Sequence, residues 1–149
     1  MKALVRAAAL AALLAAPAAA GALPRVRLRM TGGFSGPALD TCPMKRCLTV
    51  YVSPNCGYCW NSIGLFKKLR DALRFKGVAS RVIVGDGSPK DLARMAAAFG
   101  ADTLLDPDKA VLVRAFPTLW VTDKKGVILR SRQGAPEGLE EAVAWASVP

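Results

Sequence analysis

Histidine is absent from all 149 residues, and that gap excludes a good deal of chemistry. No Cys-His or Ser-His catalytic pair can be assembled, and no zinc site can draw on an imidazole. A C-x-x-C-H haem attachment is ruled out as well, because Trp60 occupies the last position. Acidic residues are scarce: 11 Asp and Glu stand against 21 Lys and Arg, a formal charge of +10. Such a surplus favours acidic partners, anionic membrane or nucleic acid. The basic residues are scattered, however, and no groove-reading motif with interleaved aromatics is present. A solvated basic surface is expected, with no nucleic-acid partner. The apolar block Ala7–Ala16 falls well short of the roughly 20 residues a membrane-spanning helix needs.

That block has a different use. Lys2 and Arg6 precede it, and a small-residue stretch follows Pro17. This is the three-part build of a secretory signal peptide over residues 1–20, cleaved after Ala20 or Ala22. Cleavage after Ala20 removes two of the 21 basic residues and none of the 11 acidic ones, leaving 19 − 11 = +8. No cysteine lies near the cleavage region, so a lipid-anchored mature end is not expected. The remaining length suits a single core that does not depend on disulfides to exist. A periplasmic or secreted location follows, with no stable membrane insertion after cleavage.

Export changes the reading of the four cysteines, Cys42, Cys47, Cys56 and Cys59. In an oxidising compartment thiols end up paired unless something keeps them reduced, and four cysteines allow three pairings with none left over.

Residues 21–46 are rich in Gly, Pro and small side chains and read as an N-terminal arm. RVRLRM alternates basic and apolar residues, which suits a short edge strand, and TGGFSGP is expected to break regular structure. Residues 47–149 form the expected domain. LTVYV (48–52) is short, apolar and β-branched, a buried strand. Apolar residues then recur at Cys59, Ile63, Phe66, Leu69 and Leu73, which predicts an amphipathic helix from about 56 to 75, ended by Gly77. Gly64 within it marks a bend or a close contact. SRVIVG (80–85) is the next strand, and SPKDLARMAAAFG a helix with Ser88 as N-cap, Pro89 at the first position and Gly100 past the end. TLWVT (118–122) and VILRS (127–131) form a hairpin across DKKG, and 136–146 a closing helix. The order is β-α-β-α, then β-β-α. It predicts an α/β fold with a mixed four-stranded sheet, a βαβ unit followed by ββα, and helices on both faces.

On that map, Cys56 falls where a strand ends and a helix begins. Unpaired backbone N–H groups there favour negative charge, so Cys56 should ionise more readily than a free thiol near pKa ~8.5. Cys59 lies one turn inside, close enough to close a small disulfide ring and more shielded. An exposed attacker with a buried resolving partner suits thiol–disulfide exchange. Two rival readings exist. One is a permanent brace between Cys56 and Cys59 in a non-catalytic binding module. The other is a four-cysteine zinc site, which would need to join pairs about 20 Å apart along a strand rising ~3.3 Å per residue.

LTVYVSPNCGYCWNSIGLFKKL closely resembles the first strand, active site and first helix of thioredoxin-fold proteins. CGYC is similar to the active sites of bacterial periplasmic disulfide isomerases. VRAFPTLWV (113–121) resembles the family's cis-proline segment, and LLDPDKAV (104–111) resembles secreted, membrane-tethered thioredoxin-like reductases. The resemblance covers about residues 47–149. It implies a thiol–disulfide oxidoreductase with catalytic Cys56 and Cys59, no cofactor and no metal. Protein thiol or disulfide substrates, a redox partner and a monomeric state are implied with it. It also implies that Pro117 packs beside the cysteines, while Phe116 presents backbone N–H and C=O groups to an extended peptide. Tyr58 and Trp60 would add an apolar rim, although either also suits core packing. The sequence departs from cytosolic thioredoxins at Val50, where they carry a buried carboxylate. The isomerases' dimerisation domain and helical insertion have no counterpart here.

Cys42 and Cys47 enclose PMKR, where Pro43 favours a turn and the two sulfurs can meet. A structural disulfide is expected, contributing roughly 2 kcal/mol. The alternative is a second redox pair relaying electrons to Cys56, but LTVYV stands between them.

Overall fold

The computed structural model describes residues 21–148. The leader read over residues 1–20 lies outside the described residues. The chain runs β1 (Arg27–Met30), β2 (Ser35–Ala38), β3 (Arg46–Val52), α1 (Gly57–Asn61) and α2 (Ile63–Arg74). It continues through β4 (Val78–Gly85), α3 (Pro89–Phe99), β5 (Leu104–Asp106), β6 (Thr118–Thr122), β7 (Ile128–Gln133) and α4 (Leu139–Ser147). LTVYV forms the middle of the sheet because its Val, Thr and Tyr side chains suit a pleated surface buried on both sides. It pairs parallel with β4, Val50 against Val82, and antiparallel with β6, Val50 against Leu119.

The mixed α/β sheet is as expected, but it is larger. Among the described residues seven strands form one sheet, in the order β2-β1-β5-β4-β3-β6-β7, where the sequence pattern predicts four. The three additions were β1, expected only as an optional edge strand, β2 and β5. Ser-Gly-Pro-Ala reads as a breaker, yet it forms β2 because an edge strand needs no N–H from Pro37 on its outer side. A Cβ at Gly36 would press on the Leu104 side chain and the Leu28 carbonyl, so a larger residue there would make the Leu104 side chain move. At three residues, β5 is too short to show a period. Residues 21–46 therefore contribute strands to the sheet, where the sequence suggested an arm.

Helix placement differs from expectation too. α2, α3 and α4 all bury residues in one cluster, including Phe66, Leu69, Leu92, Met95, Ala142 and Ala146 against Val50, Val82 and Leu119. The expectation of helices on both faces fails for a topological reason. The steps β3 to β4 and β4 to β5 move the same way across the sheet, and parallel crossovers are overwhelmingly right-handed. Both helices therefore land on one face. The opposite face carries Tyr51, Ile83, Leu104 and Trp120, and irregular chain covers it with Leu23, Leu39 and Val111.

A buried arginine holds part of that cover. Arg81 on β4 donates to the carbonyls of Ala38 (3.3 Å), Leu39 (2.6 Å) and Thr41 (3.2 Å) and to the Thr49 hydroxyl (2.8 Å). Burial pushes its pKa down to about 10, the mark of a charge removed from water.

α3 follows its local signals closely. Ser88 caps it by accepting from the Asp91 amide, Pro89 opens it, and Gly100 ends it. The expected helix over 56–75 is interrupted at Ser62, two residues before Gly64. A Cβ at Gly64 would meet nothing within 4 Å, so no close contact calls for glycine there.

Candidate active site

The end of β3 delivers the chain into the turn Ser53–Asn55, which is tied down by its own polar groups. The Ser53 hydroxyl accepts from the Asn55 amide at 3.1 Å and donates to the Asp86 carbonyl at 3.1 Å. The Asn55 side chain donates to the same carbonyl at 2.7 Å. The Trp60 indole N–H donates to the Pro54 carbonyl at 2.9 Å. Cys56 follows as the N-cap of α1, and its sulfur accepts from the Cys59 amide at 3.1 Å. Cys56 and Cys59 form a disulfide with Cα atoms 5.2 Å apart. Cys56 is partly exposed, whereas Cys59 is wholly buried.

The proline loop meets this turn from the other side. The Phe116–Pro117 peptide bond is cis, and the Phe116 carbonyl oxygen lies 3.6 Å from the Cys56 sulfur. Pro117 is buried and Phe116 half-buried, with the Phe116 ring 5.8 Å from that of Tyr51. The Thr118 hydroxyl donates to the Ala115 carbonyl at 2.6 Å, holding the loop's last turn. The structure thus brings Cys56, Cys59, Phe116 and Pro117 together. Tyr58 stands beside them with 77% of its surface exposed. Trp60 is half-buried against the helical core, and the Arg94 guanidinium lies 5.2 Å over its ring. Arg114 is exposed.

Cys42 and Cys47 form the second disulfide, Cα atoms 5.7 Å apart, at the opposite end of β3. Both are shielded, with 8% and 2% exposure. Each sulfur has its partner within its own pair, and among the described residues no group of three or more His, Cys, Asp or Glu is placed to hold a metal.

No protein-family model matches the chain, and no curated protein matches it by sequence. Solved structures do resemble it. A putative thiol:disulfide interchange protein DsbE from Chlorobium tepidum superposes with a TM-score of 0.69 at 19% identity, covering 89% of this chain and 100% of the other. The exposed lipoprotein thioredoxin Etrx1 of Streptococcus pneumoniae gives 0.68 at 18% identity, covering 81% and 96%. A secreted disulfide oxidoreductase of Mycobacterium tuberculosis, described as homologous to DsbE of E. coli, gives 0.62 at 11%, covering 82% and 92%. The chain has the thioredoxin fold.

Within that thioredoxin fold, Val50 is fully buried among the helices on the Cys59 side of β3. Among the described residues the buried carboxylate is Asp106, and it sits on the other face, where Tyr51 points. Successive strand residues face opposite ways, so Val50 and Tyr51 belong to different layers. Burial, with Asp106 close by, raises the Tyr51 phenol well above its ordinary range. Lys109 pairs with Asp86 at 2.8 Å and is raised by that contact. The sequence motifs assign no site role to Tyr51, Asp86, Asp106 or Lys109. Asp106-Pro107 at a strand end was the available signal, because Asp before a turn reaches amides further along.

Proposed function

We propose that this chain is an exported thiol–disulfide oxidoreductase acting on protein substrates as a monomer, with an external redox partner. The reading is carried by the asymmetry of one cysteine pair: an open Cys56 sulfur against the Phe116 backbone, and a sealed Cys59 beneath it. In the reductive direction, the Cys56 thiolate attacks a substrate disulfide and releases one substrate thiolate, forming a mixed disulfide. The Cys59 thiolate then attacks the Cys56 sulfur and expels the second substrate thiolate, leaving Cys56–Cys59 oxidised. Two electrons pass to the substrate, and the reverse sequence oxidises a dithiol. The Cys59 N–H already aimed at the Cys56 sulfur stabilises the thiolate form.

Phe116 supplies backbone groups for an extended substrate segment. Tyr58 offers apolar surface beside the attacking sulfur, and Trp60 braces the turn through Pro54. The resemblance to an exposed lipoprotein and a secreted oxidoreductase, together with the leader pattern in residues 1–20, supports a periplasmic or secreted location.

Insulin reduction with dithiothreitol as electron source tests the activity. Wild type should turn over, and Cys56→Ser should fall at least about a hundredfold, to the uncatalysed rate. Equal, low rates in both would leave Cys56–Cys59 as a brace and reject catalysis.

A further inference from the structure

Two features outside the cysteine turn converge on residues 107–117. The first is Asp106, a carboxylate with no exposed surface. A buried charge persists only where donors surround it. Its Oδ1 accepts from the Ala110 amide at 2.7 Å. Its Oδ2 accepts from the Val111 amide at 3.0 Å and the Tyr51 hydroxyl at 2.9 Å.

The second feature is a pair of non-glycine residues with left-handed backbone, Asp86 at φ 60° and Lys109 at φ 53°. Such a conformation is unfavourable for a residue with a Cβ and persists only where its surroundings hold it. Their side chains pair at 2.8 Å, with Lys109 67% and Asp86 33% exposed. An ion pair that open adds little to stability, so its placement is what matters. Lys109 rides on the turn that Asp106 holds. The Asp86 carbonyl receives Ser53 and Asn55, the residues leading into Cys56.

We propose that Asp106 is a positioning residue for disulfide exchange. Acting through Tyr51 and the 107–111 turn, it holds the Phe116 backbone in register with the Cys56 sulfur, which selects an extended cysteine-containing peptide over a small disulfide. This rests on the exchange activity proposed above. Tyr51 links the parts directly: its hydroxyl is on Asp106, its ring is against Phe116, and it lies on the strand that delivers Cys56. Gly85 leaves space for it, since a Cβ there would collide with the Tyr51 hydroxyl. Asp106 takes no proton or electron in the exchange; its carboxylate only accepts hydrogen bonds. A small disulfide needs the sulfur alone, whereas a peptide must meet the sulfur and the Phe116 backbone together.

The test compares wild type, Asp106→Asn and Tyr51→Phe on a disulfide-bonded peptide and on bis(2-hydroxyethyl) disulfide. Whichever way the asparagine turns, its NH2 faces a backbone N–H where an acceptor stood. For the peptide we expect KM to rise about tenfold in Asp106→Asn and about threefold in Tyr51→Phe, with kcat within about twofold. For the small disulfide kcat/KM should stay within about twofold. An unchanged peptide KM, or equal losses on both substrates, overturns the proposal. If Asp106→Asn does not fold, Tyr51→Phe decides by the same criteria, since it keeps the ring and removes only the hydroxyl. Wild type inactive on both substrates overturns the exchange reading and this one with it. Active wild type with unaltered variants overturns only the positioning role.

Discussion

At Tyr51 a single phenol is asked to be both a hydrogen-bond donor and a packing surface, and only its neutral form does the first. Burial is the main reason its proton is held so firmly, with the Asp106 carboxylate second. The consequence for stability has a definite sign. Below the ordinary phenol value of 10.0 the folded and unfolded chains both keep the proton. Above it the unfolded chain releases the proton first and binds fewer, so stability falls as pH rises. Urea midpoints measured between about pH 9 and about pH 11 should drop more steeply for wild type than for Tyr51→Phe, which lacks this titration. Parallel slopes would mean that Tyr51 is not held neutral.

Among the elements, β1 and β2 show how a segment with little local preference is made regular. Their inward residue Leu28 and the following Leu39 are buried, and Arg81, about forty residues away, donates to three carbonyls at and just after the end of β2. Arg81→Met would keep much of the side chain's apolar bulk and leave the Ala38, Leu39 and Thr41 carbonyls without this donor. Losing a charged donor to several buried acceptors should cost about 3 kcal/mol, read from denaturant unfolding. Proteolysis within residues 31–41 should accelerate as that segment loosens. The interruption between α1 and α2 carries a related lesson. The periodicity of residues 56–75 runs through it unbroken, and the geometry at Ser62 still ends one helix and starts the next.

Across the whole molecule, β3 separates two disulfides of different character. One is partly open beside the proline loop, and the other is shielded at the far end of the strand. Stability and activity should therefore separate. Replacing both Cys42 and Cys47 by serine should lower unfolding free energy by roughly 2 kcal/mol while leaving insulin turnover within about twofold of wild type. Turnover lost at full folded occupancy would instead assign Cys42–Cys47 a place in electron transfer. At this scale, too, α2, α3 and α4 lie on one side of the sheet and loops close the other, so the residues that cover Tyr51 and Trp120 come from two sequence-distant segments, 23–39 and 111–116.

What was legible in the amino-acid order was whatever depends on near neighbours. The strand before Cys56, the helix after it, the Ser88 and Gly100 caps and the hairpin at Gly126 all follow from groups within a few residues of one another. So does the contrast between Cys56 and its partner three positions on, because a helix start fixes which side chain faces out. The tertiary structure decided the rest, and for one reason: the deciding contacts join residues far apart in the chain. Tyr51 finds Asp106 across 55 positions, and Arg81 finds Leu39 across 42. Which strand lies beside which, and hence which face each helix covers, is settled only when such groups meet.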